Sequence, residues 1–380
     1  MGTRLLKQAF FLFLATTALG SAFAATPGQR DWWYDFERGR LMFAQGDYGN
    51  ALLAFEDARR SRASSYAQME RSLVEILSSG EFRRLGDSLD LVEQRLNERN
   101  FTDALDIFRE LYFYVPRETF NNSVNAALEA LGTLAYFPEA EMWIGKVFFA
   151  GGEHGLALKQ FELALSRRHL FDNPALATEL LYQIAEVRRL DLEFVEMERV
   201  LVSILEDSSL WEGKDEGWQA GTFVRQAMLR TLESAGLERF LSLYRYGNTG
   251  TLQAHLRLGM YYAETGRYAR AQEHLMFAFL IQSTAIIGEI IHGDFAFSFS
   301  TMAGFADRIA SNRALARYAE DTEYYRTLFF LADALFGNGN VERARELWTF
   351  LGTRPEAGIW RSRSALQLRS PQLAPALVMP

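Results

Sequence analysis

Six stretches of this 380-residue chain carry the same spaced set of residues. From Gly39 the set runs Gly46, Tyr48, Ala51, Phe55 and Ala58, at steps of 7, 9, 12, 16 and 19. From Gly145 the same steps give Gly152, His154, Ala157, Phe161 and Ala164. From Gly259 they give Gly266, Tyr268, Ala271, Leu275 and Ala278, and from Ala332 they give Gly339, Val341, Ala344, Trp348 and Leu351. Two weaker copies start at Val92 (Phe101, Ala104, Phe108, Leu111) and at Ala185 (Phe194, Met197, Leu201, Ile204). A recurring period constrains the fold more than composition does, because a repeated unit must pack against copies of itself.

Each position has a physical reading. The leading Gly or Ala is a small residue where a neighbouring helix must approach closely. The Gly at step 7 ends the first helix in a turn that favours positive φ. The residues at steps 12, 16 and 19 lie on one face of the second helix, three and four apart. The unit is therefore an antiparallel helix pair with one apolar side. The set is similar to the tetratricopeptide repeat, most clearly at Phe43-Ala44-Gln45-Gly46-Asp47-Tyr48 and Tyr262-Ala263-Glu264-Thr265-Gly266-Arg267-Tyr268. That resemblance implies an all-α, right-handed superhelical solenoid of antiparallel helix hairpins.

The copies are unevenly spaced, with origins 53, 53, 40, 74 and 73 residues apart, against about 34 in a simple array. Extra helices must lie between them. Residues 64–79 and 118–134 each read as one added helix. Residues 216–246 read as a degenerate hairpin broken near Ser234-Ala235-Gly236, and residues 281–319 as another. Around residues 64–135 two pairings stay open: three-helix units, or a Val92 copy shifted in register. Breaks are expected at Glu206–Gly217 and at Gly247-Asn248-Thr249-Gly250. The resulting plan has four parts: a leader over 1–24, an N-terminal solenoid over 25–250, C-terminal repeats with an apolar helical insert (281–319) over 251–357, and a tail over 358–380. Pro371, Pro375 and Pro380, with Arg361, Arg363 and Arg369, read as an extended or disordered arm.

The first 24 residues look like a secretory signal. Arg4 and Lys7 precede the weakly polar-to-apolar run Ala9–Leu19, and Ala22-x-Ala24 fits a signal-peptidase site, so cleavage is expected between Ala24 and Ala25. Losing Arg4 and Lys7 takes the formal charge from −8 to about −10. An acidic chain with no long basic block repels phosphates, which argues against nucleic acid as a partner. The absence of cysteine rules out disulfides, thiolate metal sites and lipid attachment, and suits a bacterial periplasm. No later segment reads as a transmembrane helix.

Catalytic motifs are absent. The five histidines form no i, i+4 pair, and no G-x-S-x-G, G-x-x-x-x-G-K or G-x-G-x-x-G occurs. No catalytic site, cofactor or metal is expected. The reading is a non-catalytic scaffold or adaptor that binds a protein or peptide. The alternatives are a permanent subunit of an envelope machine, or a carrier of a small hydrophobic ligand. In the tetratricopeptide family partners lie along the first helices, and some members grip acidic chain termini with Lys, Asn and Arg. Here those faces carry Trp33, Phe36, Arg40 and Phe43, then Met142, Lys146 and Phe149, then Leu256 and Met260. Only Arg40 and Lys146 are basic, so an aromatic- and methionine-lined groove is expected instead. A second binding face is expected in the apolar stretch Leu275–Phe305, where Phe295, Phe299, Met302 and Phe305 are spaced as one helical face able to meet a partner or a second copy of the chain.

Overall fold

The computed structural model describes residues 32–78, 87–111, 118–206 and 222–373. Among them every regular element is helical. The chain divides into two compact units, residues 1–180 and 181–380. The expected boundary near residue 250 is thus displaced to Leu180.

In the first unit α1 (Trp32–Ala44) pairs with α2 (Tyr48–Ser78), α3 (Asp87–Asn97) with α4 (Phe101–Leu111), and α6 (Pro138–Ala150) with α7 (His154–Ser166). A single helix, α5 (Glu118–Leu134), lies between the last two pairs in sequence, over the residues assigned to an added helix. The helix expected over 64–79 is instead the far half of α2. No glycine or proline interrupts the sequence between Gly49 and Gly80, so nothing stops the helix early. That far half has its own task. Tyr66 and Leu73 pack into one core with Val92 and Leu96 of α3, Phe108 of α4, and Leu128 and Leu131 of α5. The near half packs Phe55 and Ala51 against Ile144 and Val147 of α6. Pro138 opens α6, where its missing N–H costs nothing.

The second unit begins within α8 (Ala175–Leu190), which a three-residue turn joins to α9 (Phe194–Glu206). Helix α10 (Thr222–Leu243) breaks at Gly236 (φ 76°, ψ −178°), at the expected place. Then come α11 (Leu252–Glu264) with α12 (Tyr268–Gly293), α13 (Met302–Ser311), α14 (Arg313–Asp321), α15 (Tyr324–Gly337) with α16 (Val341–Gly352), and α17 (Ile359–Arg369). The Gly247–Gly250 segment is tied down: the Tyr182 hydroxyl donates to Gly250 O at 2.7 Å and accepts the Ala254 N–H at 3.0 Å.

The six-copy register reappears in the backbone. Positive φ occurs at Gly46, Arg99, Gly152, Leu192, Gly266 and Gly339, all at step 7. At each turn the N–H at step 8 reaches back to the carbonyl at step 3, as from Asp47 to Met42, Asn100 to Arg95 and Arg267 to Tyr262. This is the Schellman closure, which satisfies carbonyls that a helix end leaves bare. The second helix of every pair starts at step 9. The Val92 copy therefore keeps its register and is not shifted.

Two expectations are corrected. The apolar stretch from Leu275 is no two-faced hairpin. Through Ile290 it belongs to α12, which is surrounded by α10, α11, α14 and α15 and forms the centre of the second unit. Helix α12 is long and apolar enough to cross a membrane by those criteria alone, and 72% of its most apolar window is buried inside the protein. The tail is not an extended arm from residue 358, because α17 occupies Ile359–Arg369. No proline falls between Pro355 and Pro371, and Trp360 anchors the helix on Phe329 and Phe330, at centroid distances of 5.2 and 5.9 Å. The reading of residues 1–31, 207–221 and 374–380, leader included, lies outside the described residues.

Candidate protein-binding surface

The first helices α1 and α6 lie side by side in the first unit, because the pair between them in sequence packs on the far half of α2. Their meeting line gathers part of the expected set. Trp143 is half-buried there. The ring of Phe43 meets it edge-on at 5.3 Å, and Phe55 stacks on it at 5.8 Å. Two cations flank the indole: the Arg40 guanidinium at 5.5 Å and Lys146 Nζ at 4.2 Å from its centroid. Lys146 is held by Glu179 at 2.6 Å, and Arg40 by Glu37 at 2.8 Å. Phe36 packs between Phe55 and Phe137. Elsewhere on α1, Trp33, Tyr34 and Leu41 are 54, 55 and 60% exposed. The meeting line is an aromatic cluster with a cationic edge, made of residue types enriched at protein interfaces.

Other expected residues fall elsewhere. Met142 is fully buried in the first unit, and Leu256 and Met260 are buried in the second, so they are core and not groove. Phe149 is half-buried and stacked on His154 at 5.8 Å. Phe295, Phe299, Met302 and Phe305 do not share a helical face. Residues 294–301 are non-helical, Phe295 is 88% exposed, and Phe299 leans on Phe305 at 5.7 Å. Met302 and Phe305 are buried. Thr301 caps α13 by accepting the Gly304 N–H, which starts a new helix at Met302 and rotates that helix independently of α12. Trp143 itself escaped the sequence reading. It stands two residues before Gly145, and the reading aimed Met142 outward, one residue or about 100° around the helix from the true face.

Charge is also organised beneath α6. Burial pushes the carboxyls of Glu139 and Glu141 above the usual range; the Asp172 N–H opposes this at Glu139 and Arg167 opposes it at Glu141. Glu141 pairs with Arg167, and Glu139 accepts the Asp172 N–H at 2.9 Å. Arg62 lies over Trp32 and Phe137, at 4.5 and 4.4 Å, and donates to Thr133 O. These contacts pin the start of α6 and so fix where Trp143 stands. In the second unit two fully buried imidazoles, His255 and His274, meet through their Nδ1 atoms at 3.1 Å. Among the described residues no group of three or more His, Asp or Glu side chains could hold a metal ion.

No family model matches the chain. It is similar to an uncharacterized protein of Treponema pallidum (strain Nichols), 27% identical over 362 residues that cover 95% of this chain and 96% of that one.

Proposed function

We propose that the protein is a non-catalytic scaffold of the bacterial envelope, exported by its leader and built as a solenoid of tetratricopeptide-like hairpins. It holds a partner protein along the first helices of its first unit. The observation that carries this reading is the Trp143 cluster, a partly exposed indole flanked by Arg40 and Lys146, together with the exposed Trp33, Tyr34 and Leu41 elsewhere on α1. A folded helix gains nothing by showing three large apolar side chains to water, whereas burial under a partner recovers about 1.5–3 kcal/mol for each fully covered side chain. Arg40 and Lys146 are already paired with carboxylates, so the partner is anchored by apolar side chains rather than by a terminal carboxylate. The test is capture of partners by the full-length protein and by the double variant Trp33→Ser, Leu41→Ser. Loss of a specific partner with an unchanged thermal melt supports the reading; equal capture by both proteins refutes it.

A second reading, a permanent subunit of a larger assembly, is favoured by Phe223 and Phe295 of the second unit, which are 82 and 88% exposed. Such a subunit would be depleted in cells that lack its neighbours.

A further inference from the structure

Helix α17 packs on the rest of the second unit by one side. Trp360, Ser364 and Gln367, spaced four and three apart, form that side. Trp360 lies on Phe329 and Phe330, Ser364 is fully buried, and Gln367 Nε2 reaches the buried Asp333 at 3.4 Å. The opposite side carries Ile359, Ser362 and Leu366, three and four apart. Ile359 is 61% and Leu366 63% exposed, so a short aliphatic ridge faces outward. At about 100° per residue, Arg363 falls on one flank of that ridge and Arg369 on the other. Both are exposed, as is Arg361 further round.

The arginines of α17 differ from most others in the chain. Arg38, Arg189, Arg267 and Arg354 each hold a carboxylate. Among the described residues no carboxylate stands within ion-pair distance of Arg361, Arg363 or Arg369; Arg361 Nε donates to Gly352 O at 3.2 Å, and Arg363 rests over the Trp360 ring at 4.8 Å. From residue 357 to 380 the sequence has no Asp or Glu. The acids on the wall beside Ile359 have cations of their own: Asp321, Glu323 and Glu356 stand by Arg317, Arg326 and Arg354, and Glu320 shares that wall with Arg313. A chain of net charge −8 thus shows one face that is cationic and apolar at once. Its remaining surface repels an anionic surface, so it would approach one by α17. A guanidinium fork matches phosphate geometry, and aliphatic side chains set between such forks reach the acyl boundary just below the headgroups. Trp and Tyr, the anchors of protein–protein contacts, are absent from this outward side. We propose that α17 docks the protein on an anionic lipid surface, Arg363 and Arg369 on headgroup phosphates and Ile359 and Leu366 among the first acyl carbons. The face lies in the second unit, apart from the Trp143 surface, and either can fail without the other.

The experiment is flotation of the full chain with vesicles of phosphatidylglycerol and phosphatidylcholine in equal parts, and with phosphatidylcholine alone, each at low salt and at about 0.5 M salt. Binding to the anionic vesicles is expected, weakened by salt, with none to phosphatidylcholine. Arg369→Gln should weaken it about fivefold. The pair Ile359→Ser, Leu366→Ser should weaken it about tenfold, because the contact is apolar as well as ionic. All three side chains are exposed, so the thermal melts should match that of the wild type; should the serine pair fail to fold, Arg369→Gln decides the matter. Soluble polyglutamate serves as the acidic-protein control and is expected to bind more weakly than the vesicles. The proposal is overturned if the anionic vesicles are not bound, if phosphatidylcholine is bound as well as they are, or if the folded variants bind like the wild type. Polyglutamate bound as tightly as the vesicles would overturn it too and assign the face to an acidic protein.

Discussion

Gly259 lies directly beneath Leu275: a Cβ at Gly259 would stand 2.5 Å from Leu275 Cγ and 3.2 Å from the Leu275 backbone nitrogen. The same 16-residue step sets Gly39 against the ring of Phe55 at 2.6 Å and Gly145 against the ring of Phe161 at 2.5 Å. The small first-helix residue is the socket of the large second-helix residue. Gly259→Leu therefore overpacks the α11–α12 contact and should cost about 1–3 kcal/mol, read as a lower denaturant midpoint. A wild-type midpoint would mean that the two helices are not held at this separation.

The left-handed turn positions give a prediction of opposite sign. Leu192 (φ 61°) holds a backbone conformation that glycine takes at the four strong copies, and its side chain is exposed. Leu192→Gly should stabilise the protein by about 1 kcal/mol, whereas Gly266→Ala should destabilise it by about the same amount. Arg99 (φ 56°) is a poorer target, because its guanidinium also covers Tyr66 and Tyr136 at 5.3 and 5.7 Å. Thermal melts of the two variants check the pair of signs.

This part of the molecule was legible in the sequence because it rests on local rules. Steric limits on φ, the length of a turn and the 3.6-residue period act within some twenty residues, and they survive even where Gly46 becomes Arg99 or Leu192. What faces outward is decided by distant packing. Met142 and Trp143 are adjacent and both apolar; Trp143 meets α1 and α2 and stays partly open, whereas Met142, about 100° round the helix, is fully buried. Likewise Phe295 and Met302 look like one helical face until the Thr301 cap starts a separate helix. The prolines and arginines near the C-terminus conceal α17, which forms in the proline-free run between Pro355 and Pro371.

The buried histidines should make the fold acid-sensitive. Burial, then His274, then Arg225 hold His255 well below its ordinary value of 6.5, and burial, then Arg225 and Arg270, hold His274 down to about 3. Below 6.5 the unfolded chain binds protons that the folded pair refuses, so this contribution to stability is fully present above that pH and is lost as pH falls toward 3. Denaturant midpoints should drop with acidification from about 6 to 4, and the drop should be shallower in His274→Gln. Equal slopes in the two proteins would remove the pair from this account.

Asp333 acts in the opposite direction. Burial pushes its carboxyl from 3.8 up to about 7, against the Trp348 indole N–H bond at 3.1 Å. The folded state keeps a proton that the unfolded chain releases, so the contribution is present below 3.8 and is lost as pH rises toward 7. Asp333→Asn keeps an acceptor for Trp348 without a charge to bury. Its melting temperature should exceed that of the wild type at neutral pH and the two should converge near pH 4; a constant difference across that range would contradict this.

The central claim is that the first-helix stripe of the first unit is where a partner sits. Photo-crosslinking in living cells tests it most directly, with the reactive side chain placed in turn at Trp33, Arg40 and Leu41 on α1 and at Leu53 on α2, which is equally exposed. The account expects a discrete adduct of one size from the α1 positions, no such adduct from Leu53, and loss of the adduct when Trp143→Ser is added to a chain that still melts cooperatively. Equal adducts from α1 and from Leu53, or an α1 adduct indifferent to Trp143→Ser, would contradict it.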